Sequence, residues 1–372
     1  MGLRRRLIVF VAILQSVFFL AHYLLYETWT FSFTRGQSAG PLWIKLILGI
    51  LSVTFVPASL LAFNYTNTAV RVFYRIAAVW TGLLSFLVGA MICSWVIFGI
   101  AQALGVNPRF HRIVEVLFAL ALAAGIYAVF NASWTRVTRT TVRLANLPAE
   151  WRGRKAALVS DLHLGPVRNG NFLRRTVSTI VDEKPHVIFI AGDLYDGTAI
   201  DAAKAAEPLN RLTTAPQGVY FVAGNHEQFR DDTKYFRAVS AAGVRVLNNE
   251  KVEVEGLQIL GVPYRHAWQP ALFASVLRGL GLDRSRASIL LTHAPDHPEI
   301  AEAAGVSLQL SGHTHLGQFI PWSWIARRIY RQFVYGLSRI GNMQVFTSSG
   351  AGTWGPPLRL GSKAEIVMLQ FE

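Results

Sequence analysis

Four long apolar runs before residue 131 restrict the fold more than any other feature: residues 7–26, 42–63, 76–104 and 113–130. A bilayer core about 30 Å thick is crossed by a helix of roughly 20 apolar residues. Each run reaches or approaches that length. Buried core helices are the alternative, but soluble domains rarely hold four such runs with so few charges. Up to residue 145 the only acidic residues are Glu27 and Glu115, against twelve Lys and Arg. Beyond it, 24 Lys and Arg nearly balance 20 Asp and Glu, so +10 of the +14 formal charge belongs to the first part. The charges cluster at the ends of the apolar runs. A nucleic-acid binder would concentrate them on its folded domain, so membrane lipids are the expected partner and nucleic acid is not. Lys45 can snorkel to the interface. His22 reads as a tolerated polar residue or a helix–helix contact.

The positive-inside rule then orients the chain. Arg4, Arg5 and Arg6 precede the first run, Arg71 and Arg75 the third, and Arg136, Arg139 and Arg143 follow the fourth. The opposite ends carry Arg35, Lys45, Arg109 and Arg112. The bias predicts a multi-pass integral membrane protein with its N-terminus and everything after residue 131 in the cytoplasm. A cleaved signal over residues 1–26 fits less well, because the run is long and no small-x-small site follows it. The paired arginines resemble a twin-arginine signal only weakly, and the further spans argue against that route. Cys93 is the only cysteine, which excludes an intrachain disulfide and any thiolate metal site in the later domain. Residues 135–150 are polar and basic and read as a linker between a helical membrane region, 1–134, and a second domain, 151–372.

From residue 151 strands and helices alternate. Strands are expected at 156–160, 186–191, 218–223, 244–247, 252–254, 257–260, 288–291 and 307–310. Helices are expected at 172–183, 200–212, 232–242, 272–280 and 299–304. This is the pattern of an α/β domain with both sheet faces covered. Five times an apolar strand ends and a metal-binding type of residue follows: Asp161 with His163, Asp193, Asn225 with His226, His293, and His313 with His315. Asp161 and His163 flank one leucine, so an extended backbone sends both side chains the same way. Ligands in α/β sheets collect at the carboxyl ends of strands. Carboxylate and imidazole at five such ends point to a metal centre.

At these residues the sequence resembles the calcineurin-like metallophosphoesterases. The matching strings are Asp161-Leu162-His163, Gly192-Asp193-Leu194-Tyr195-Asp196, Gly224-Asn225-His226-Glu227, Thr292-His293 and Gly312-His313-Thr314-His315. The resemblance covers about residues 155–371, and the ordered set is far more specific than any one string. Within the family the chain is most similar to a membrane-associated bacterial branch, in which the last string continues into Gly-Gln and an aromatic insertion. Here these are Gly317-Gln318 and residues 322–335. The resemblance implies two packed β-sheets flanked by helices, and two divalent metal ions sharing a bridging carboxylate. It implies Asp161, His163 and His315 on the first ion, Asn225, His293 and His313 on the second, and Asp193 bridging. His226 would face the substrate phosphate rather than bind metal. An acidic residue would be expected after Gly261-Val262, where this chain has Pro263-Tyr264.

The implied activity is metal-dependent phosphohydrolysis. Two cations a few Å apart lower the pKa of a shared water and neutralise phosphate oxygens. No protein nucleophile is then needed, and His226 can protonate a leaving oxygen. Asp, Asn and His donors suit manganese, iron or zinc. Among relatives of this branch are hydrolases of the pyrophosphate in UDP-diacylglucosamine, so the expected substrate is a phosphodiester or pyrophosphate, lipid-linked. The alternatives are an enzyme for soluble phosphate esters with the helices as anchor, or a non-enzymatic scaffold. The latter should have lost ligands, yet all eight positions are intact. A transporter would carry an acidic pair or a broken helix at mid-membrane.

Other polar residues have quieter readings. Asp196 reads as a support for a ligand or a loop cap, Glu227 as orienting a neighbour or capping a segment, and Asp296 as the N-cap of the next helix. His266 and His297 read as loop histidines, and Arg168 and Arg265 as charged loop residues within reach of a phosphate. In 321–335, Trp322, Ile325, Ile329 and Phe333 recur at helical steps, with Arg327, Arg328 and Arg331 nearby and Trp324, Tyr330 and Tyr335 adding aromatic bulk. Such a helix either packs on the core or lies at a membrane interface.

Overall fold

The computed structural model describes residues 3–34, 40–229 and 231–372, with the side chains of 3, 4, 6 and 7 left out. Arg35 and the side chains of Arg4 and Arg6, used above for orientation, lie outside the described residues. The chain divides into two compact units, Met1–Phe130 with Gly355–Leu358, and Asn131–Trp354 with Arg359–Glu372.

The first unit is helical. Among the described residues four segments are long and apolar enough to cross a membrane: Ile8–Phe33, Leu42–Asn64, Thr68–Ala103 and Phe110–Ser133. Ile13, Leu20, Trp43, Ile92 and Leu120 point outward, while Phe18, Leu25, Leu84, Leu87 and Met91 pack together inside. Apolar side chains on both faces are what a lipid solvent permits. The second segment is two helices, Leu42–Ser52 and Phe55–Asn64. Pro57 explains the break, because its ring clashes with the carbonyl four residues back, at Val53, and offers it no N–H. His22 is a helix–helix contact: its Nδ1–H donates to the Phe18 carbonyl (2.7 Å) and its Nε2 accepts from Trp80 Nε1 (2.9 Å).

Among the described residues the second unit holds twelve strands. They are β1 (Thr135–Val142), β2 (Lys155–Val159), β3 (Val187–Ala191), β4 (Val219–Val222), β5 (Arg245–Val246), β6 (Glu250–Val254), β7 (Leu257–Gly261), β8 (Ser288–Leu291), β9 (Leu308–Ser311), β10 (Gly336–Ile340), β11 (Met343–Thr347) and β12 (Ala364–Phe371). One six-stranded sheet runs β1-β12-β2-β3-β4-β5 and the other β10-β11-β9-β8-β7-β6. Strand alternation assigns the layers. Ala156 and Leu158 of β2, with Phe189 of β3, join Ile259, Leu291 and Leu310 in a core between the sheets. Ala157, Val159 and Ile190 face the other way, onto Phe172, Leu173 and Val177 of the helix Gly170–Asp182. Leu260, Leu290 and Val345 face Phe273 and Leu277 of the helix Pro270–Gly279. The result is helices, sheet, sheet, helices.

Residues 135–150 are not simply a linker. Thr135–Val142 pairs parallel with β12 over its whole length, Thr135 opposite Ala364 and Val142 opposite Phe371. It is an edge strand, and only Val142 is buried. Edge strands carry charges that block further pairing, so Arg136 and Arg139 gave the segment the look of a linker. The expected helix 200–212 is a short α-helix, Ala202–Ala206, continued as a tighter 3₁₀ turn, Glu207–Thr214. Pro208 removes an N–H that an α-helix would use.

Candidate metal centre

The sheets set the positions of the site. β2, β3 and β4 are parallel neighbours in one sheet, and β8 and β9 are parallel neighbours in the other. Asp161, Asp193, His293 and His313 each sit two residues beyond the end of their strand. Asp161, His163, Asp193, His313 and His315 all have left-handed backbone, with φ of 54°, 49°, 50°, 70° and 49°. Residues without special stabilisation avoid that region, at a cost of about 1–3 kcal/mol each. The packed strand ends impose it and turn these side chains inward. Glycine is needed where loops touch: a Cβ on Gly224 would collide with the Asp193 carboxylate, and one on Gly312 with that of Asp161.

Three sets of side chains have ligand atoms within 4.8 Å of one another: Asp161, His163 and His315; Asp193, His293 and His313; and His163, Asp196 and His226. His163 Nε2 lies 3.1 Å from His315 Nε2, and His293 Nε2 lies 3.1 Å from His313 Nδ1. Asp193 Oδ2 lies 3.1 Å from His293 Nε2 and 3.9 Å from His163 Nε2. Asn225 Oδ1 is buried with no hydrogen-bond partner. Metal–nitrogen bonds of 2.0–2.1 Å put two nitrogens on one ion about 2.8–3.4 Å apart, from adjacent octahedral to tetrahedral positions. Both histidine pairs meet that spacing. The orphaned Asn225 oxygen supplies a further donor, so the residues fit a pair of divalent ions.

The ring protons agree. His293 Nδ1–H donates to the Ala191 carbonyl (2.7 Å), which leaves Nε2 to face Asp193. His163 Nδ1 faces Asp196 Oδ1 at 3.3 Å, which leaves its Nε2 for the first group. Such partners behind a ligating imidazole fix its tautomer and raise its basicity. Without a cation the charges settle on one another. Burial opposes protonation of His293, but the adjoining Asp193 carboxylate outweighs it and pushes the imidazole up to about 10. Burial would raise Asp193, yet His293 and His226 hold it well below the usual carboxylate range. Burial raises Asp161. Burial, with the neighbouring His293, pushes His313 down to about 3. Burial, with His163 and Arg359 close by, holds His315 well below the usual range.

His226 is bound through its backbone N–H to Asp193 Oδ1 (2.9 Å) and through Nδ1–H to the Asp196 carbonyl (3.0 Å). Its ring lies against Phe229 and Trp354, with centroids at 4.5 and 5.9 Å. On the other side His313 meets Tyr264 at 5.4 Å and Tyr330 at 6.1 Å. Phe229 and Trp354 are more than half exposed, so aromatic side chains line the approach. Glu227 is buried and accepts from the N–H groups of Asp193 (3.0 Å), Tyr195 (2.9 Å) and Gly224 (2.8 Å), tying the β3 and β4 loops together. Burial and the Asp193 charge push its carboxyl up to about 7.

Several residues take places other than those expected. Arg168 is buried, donates to the Ala132 carbonyl (2.5 Å) and covers the Phe172 ring. Arg265 is exposed and donates to the Gln228 carbonyl (3.1 Å). Asp296 is not an N-cap: the left-handed His297 takes that place and the helix starts at Pro298. His266 Nδ1 faces Asn249 Nδ2 at 2.6 Å, away from the centre. Sequence reasoning missed Arg359, which is fully buried. It donates to the carbonyls of Ser349 (2.7 Å), Gly350 (3.1 Å) and Gly352 (2.7 Å), and its Nη2 lies 3.4 Å from His315 Nδ1. No motif surrounds it in the sequence.

The family model for calcineurin-like phosphoesterases matches residues 154–317. An uncharacterized metallophosphoesterase of Helicobacter pylori J99 is 30% identical over 264 residues, 69% of this chain and 70% of that one. The chain belongs to the calcineurin-like metallophosphoesterases. An Aquifex aeolicus metallophosphoesterase is 30% identical over 68% of this chain and 98% of its own length. A Danio rerio transmembrane protein with a metallophosphoesterase domain is 31% identical over 70% of this chain, which spans 62% of that protein. Among solved structures, a dimetal phosphatase from Danio rerio aligns with 59% of this chain and all of its own, at 13% identity and a TM-score of 0.38. The chain is thus a metallophosphoesterase with four helical segments apolar enough to span a membrane.

Proposed function

We propose that this chain is a membrane-anchored dinuclear phosphohydrolase that cleaves a phosphodiester or pyrophosphate in a lipid-linked substrate such as UDP-diacylglucosamine. The supporting observation is the pair of ligand groups sharing Asp193, in a chain with four membrane-capable segments. Asp161, His163 and His315 would hold one ion and Asn225, His293 and His313 the other, with Asp193 between them. Manganese, iron or zinc, which suit this donor set, would supply Lewis-acid neutralisation of phosphate oxygens and a water of lowered pKa.

The chain's own residues do the rest. Asp196 Oδ1 faces His163 Nδ1 at 3.3 Å, and its charge favours the tautomer with the proton on Nδ1 and the lone pair of Nε2 directed at the first group. His226 has Nδ1–H committed to the Asp196 carbonyl, which turns Nε2 towards the site; with the ring protonated, Nε2–H would be the donor offered to a leaving oxygen or a phosphate oxygen. Glu227 holds the two loops that carry Asp193 and Asn225 at a fixed separation. The arginine bias of the helical region supports a cytoplasmic position for residues beyond 131.

The test is a substrate panel. Full-length protein in nanodiscs, loaded in turn with manganese, iron and zinc, is given lipid-linked pyrophosphates, lipid phosphodiesters and bis(p-nitrophenyl) phosphate. A kcat/KM at least about tenfold higher for a lipid-linked substrate is expected. A clear preference for soluble esters would replace the reading with one in which the helices serve only as an anchor.

A further inference from the structure

The segment after the last metal-ligand candidates forms a helix, Trp322–Tyr330, with three faces. At about 100° per residue, Ser323, Ala326 and Tyr330 share one arc of roughly 60°. Ser323 and Ala326 are buried, and Ala326 packs with Leu316 and Val334 while Tyr330 lies against them. Beside that arc, Trp322, Ile325 and Ile329 form a second one, and they remain 51%, 47% and 63% exposed. Arg327 and Arg328 are exposed on the remaining side, with Trp324 between them at 65% exposure. A helix that only covered a core would keep its apolar residues on the buried arc. Here the larger apolar arc is the uncovered one.

Along the sequence the charge has one sign, although the Asp296 carboxylate acts on Tyr330 at the buried arc and Glu365 accepts from Tyr335 (3.1 Å). No Asp or Glu occurs between Glu302 and Glu365, an interval that holds Arg327, Arg328, Arg331, Arg339, Arg359 and Lys363. Among the described residues Arg327, Arg328 and Arg331 form no ion pair, although each is exposed. Unpaired arginines flanking exposed Trp and Ile match the layered chemistry of a bilayer surface, with phosphate outermost and acyl chains beneath. The buried arc of the same helix reaches the centre, since Tyr330 meets His313 with centroids 6.1 Å apart.

We propose that this helix docks in the headgroup layer of an anionic bilayer, with Trp322, Ile325 and Ile329 below the phosphates and Arg327, Arg328 and Arg331 on them. It would bring a lipid-borne phosphate to the rim of the metal centre, a purpose that rests on the function proposed above. Docking itself requires no turnover and is tested separately from the substrate panel.

Full-length protein with Cys93→Ala carries a nitroxide at Ile325→Cys, or at Asn210→Cys as an exposed control, and is reconstituted with and without anionic lipid. Access of oxygen and of a water-soluble nickel relaxer is read by electron paramagnetic resonance. With anionic lipid the Ile325 label should favour oxygen and exclude nickel, while the Asn210 label stays open to nickel. Each serine at Arg327, Arg328 and Arg331 should weaken the shielding about fivefold. An unchanged melting temperature in those variants would confirm that the fold is intact. An Ile325 label as open to nickel as the Asn210 label in anionic membranes overturns the proposal. Equal shielding in membranes that lack anionic lipid, where the arginines would have no net negative surface to bind, also overturns it.

Discussion

Asp196→Asn isolates the support behind the first ligand group. The carboxylate lies 3.3 Å from His163 Nδ1, and both side chains are buried. Asparagine keeps the shape and removes the charge. Two unit charges at that distance attract by about 5 kcal/mol at an effective dielectric of 20. That figure applies to an imidazolium, and a ligating imidazole is neutral, so it is an upper bound. The relevant loss is the pull of a buried carboxylate on a neutral N–H facing it at 3.3 Å, at most the about 1.5–3 kcal/mol of a well-aligned hydrogen bond to a charged group. That converts to roughly 10- to 150-fold in affinity, in the range found for partners of metal-ligating histidines.

The effect should be confined to one of two sites. His293 and His313 do not touch Asp196, and His226 is anchored on its backbone carbonyl, which asparagine retains. Metal-stripped full-length protein, titrated against a competing chelator dye, should show one of two binding steps weakened and the other unchanged. Turnover at saturating metal should largely return. Unaltered affinity at both steps, or a loss confined to the step that His293→Ala abolishes, would refute this account of Asp196.

Asp193→Asn should weaken both binding steps and remove nearly all turnover, since its carboxylate faces His163 and His293 together; a variant with full activity would exclude it as the bridge. His226→Ala should keep both metals by elemental analysis and lose about 10²- to 10⁴-fold in kcat; loss of a metal would make it a ligand. The pH dependence of the metal-stripped protein follows from His293, whose imidazole is raised to about 10 by Asp193 despite its burial. Stability from that pair is complete below about pH 6.5 and is lost as pH rises through 10, so the melting temperature should fall across that window, and less steeply in His293→Gln. A flat or rising profile would be inconsistent with the pair. Metal binding should strengthen over the same window, because it displaces that proton. For orientation, a reporter fused after Glu372 should behave as cytoplasmic, and labelling of an introduced cysteine at Asn249 by an impermeant reagent in intact cells would contradict the arginine bias.

What could be read from the chain depended on whether one residue type at one place was sufficient. Asp161, Asp193, His293 and His313 stand at the same offset from their strand ends, and short apolar strands are visible in one dimension. The edge strand Thr135–Val142 was not visible, because its partner lies more than 220 residues away and its outward face is polar by necessity. Arg359 was invisible for a related reason: its carbonyl acceptors are supplied by a loop whose shape no local pattern encodes. The helix after the centre shows the limit most clearly. Its periodicity gives an apolar stripe but not the side that is buried, and the expected stripe included Phe333. In the structure Arg331 leaves helical geometry, with φ of 52°, and Phe333 turns into the core behind the second sheet. The buried arc is decided by Gly317, where a Cβ would strike the backbone of Trp322 and Ser323. Backbones that close admit only small side chains between them, and Ser323 and Ala326 fill that role. The large residues Trp322, Ile325 and Ile329 are therefore turned outward by packing at the root of the helix. Their exposure follows from the same close contact that fixes the loop of His315, so Gly317→Ala should disturb the helix and that histidine together.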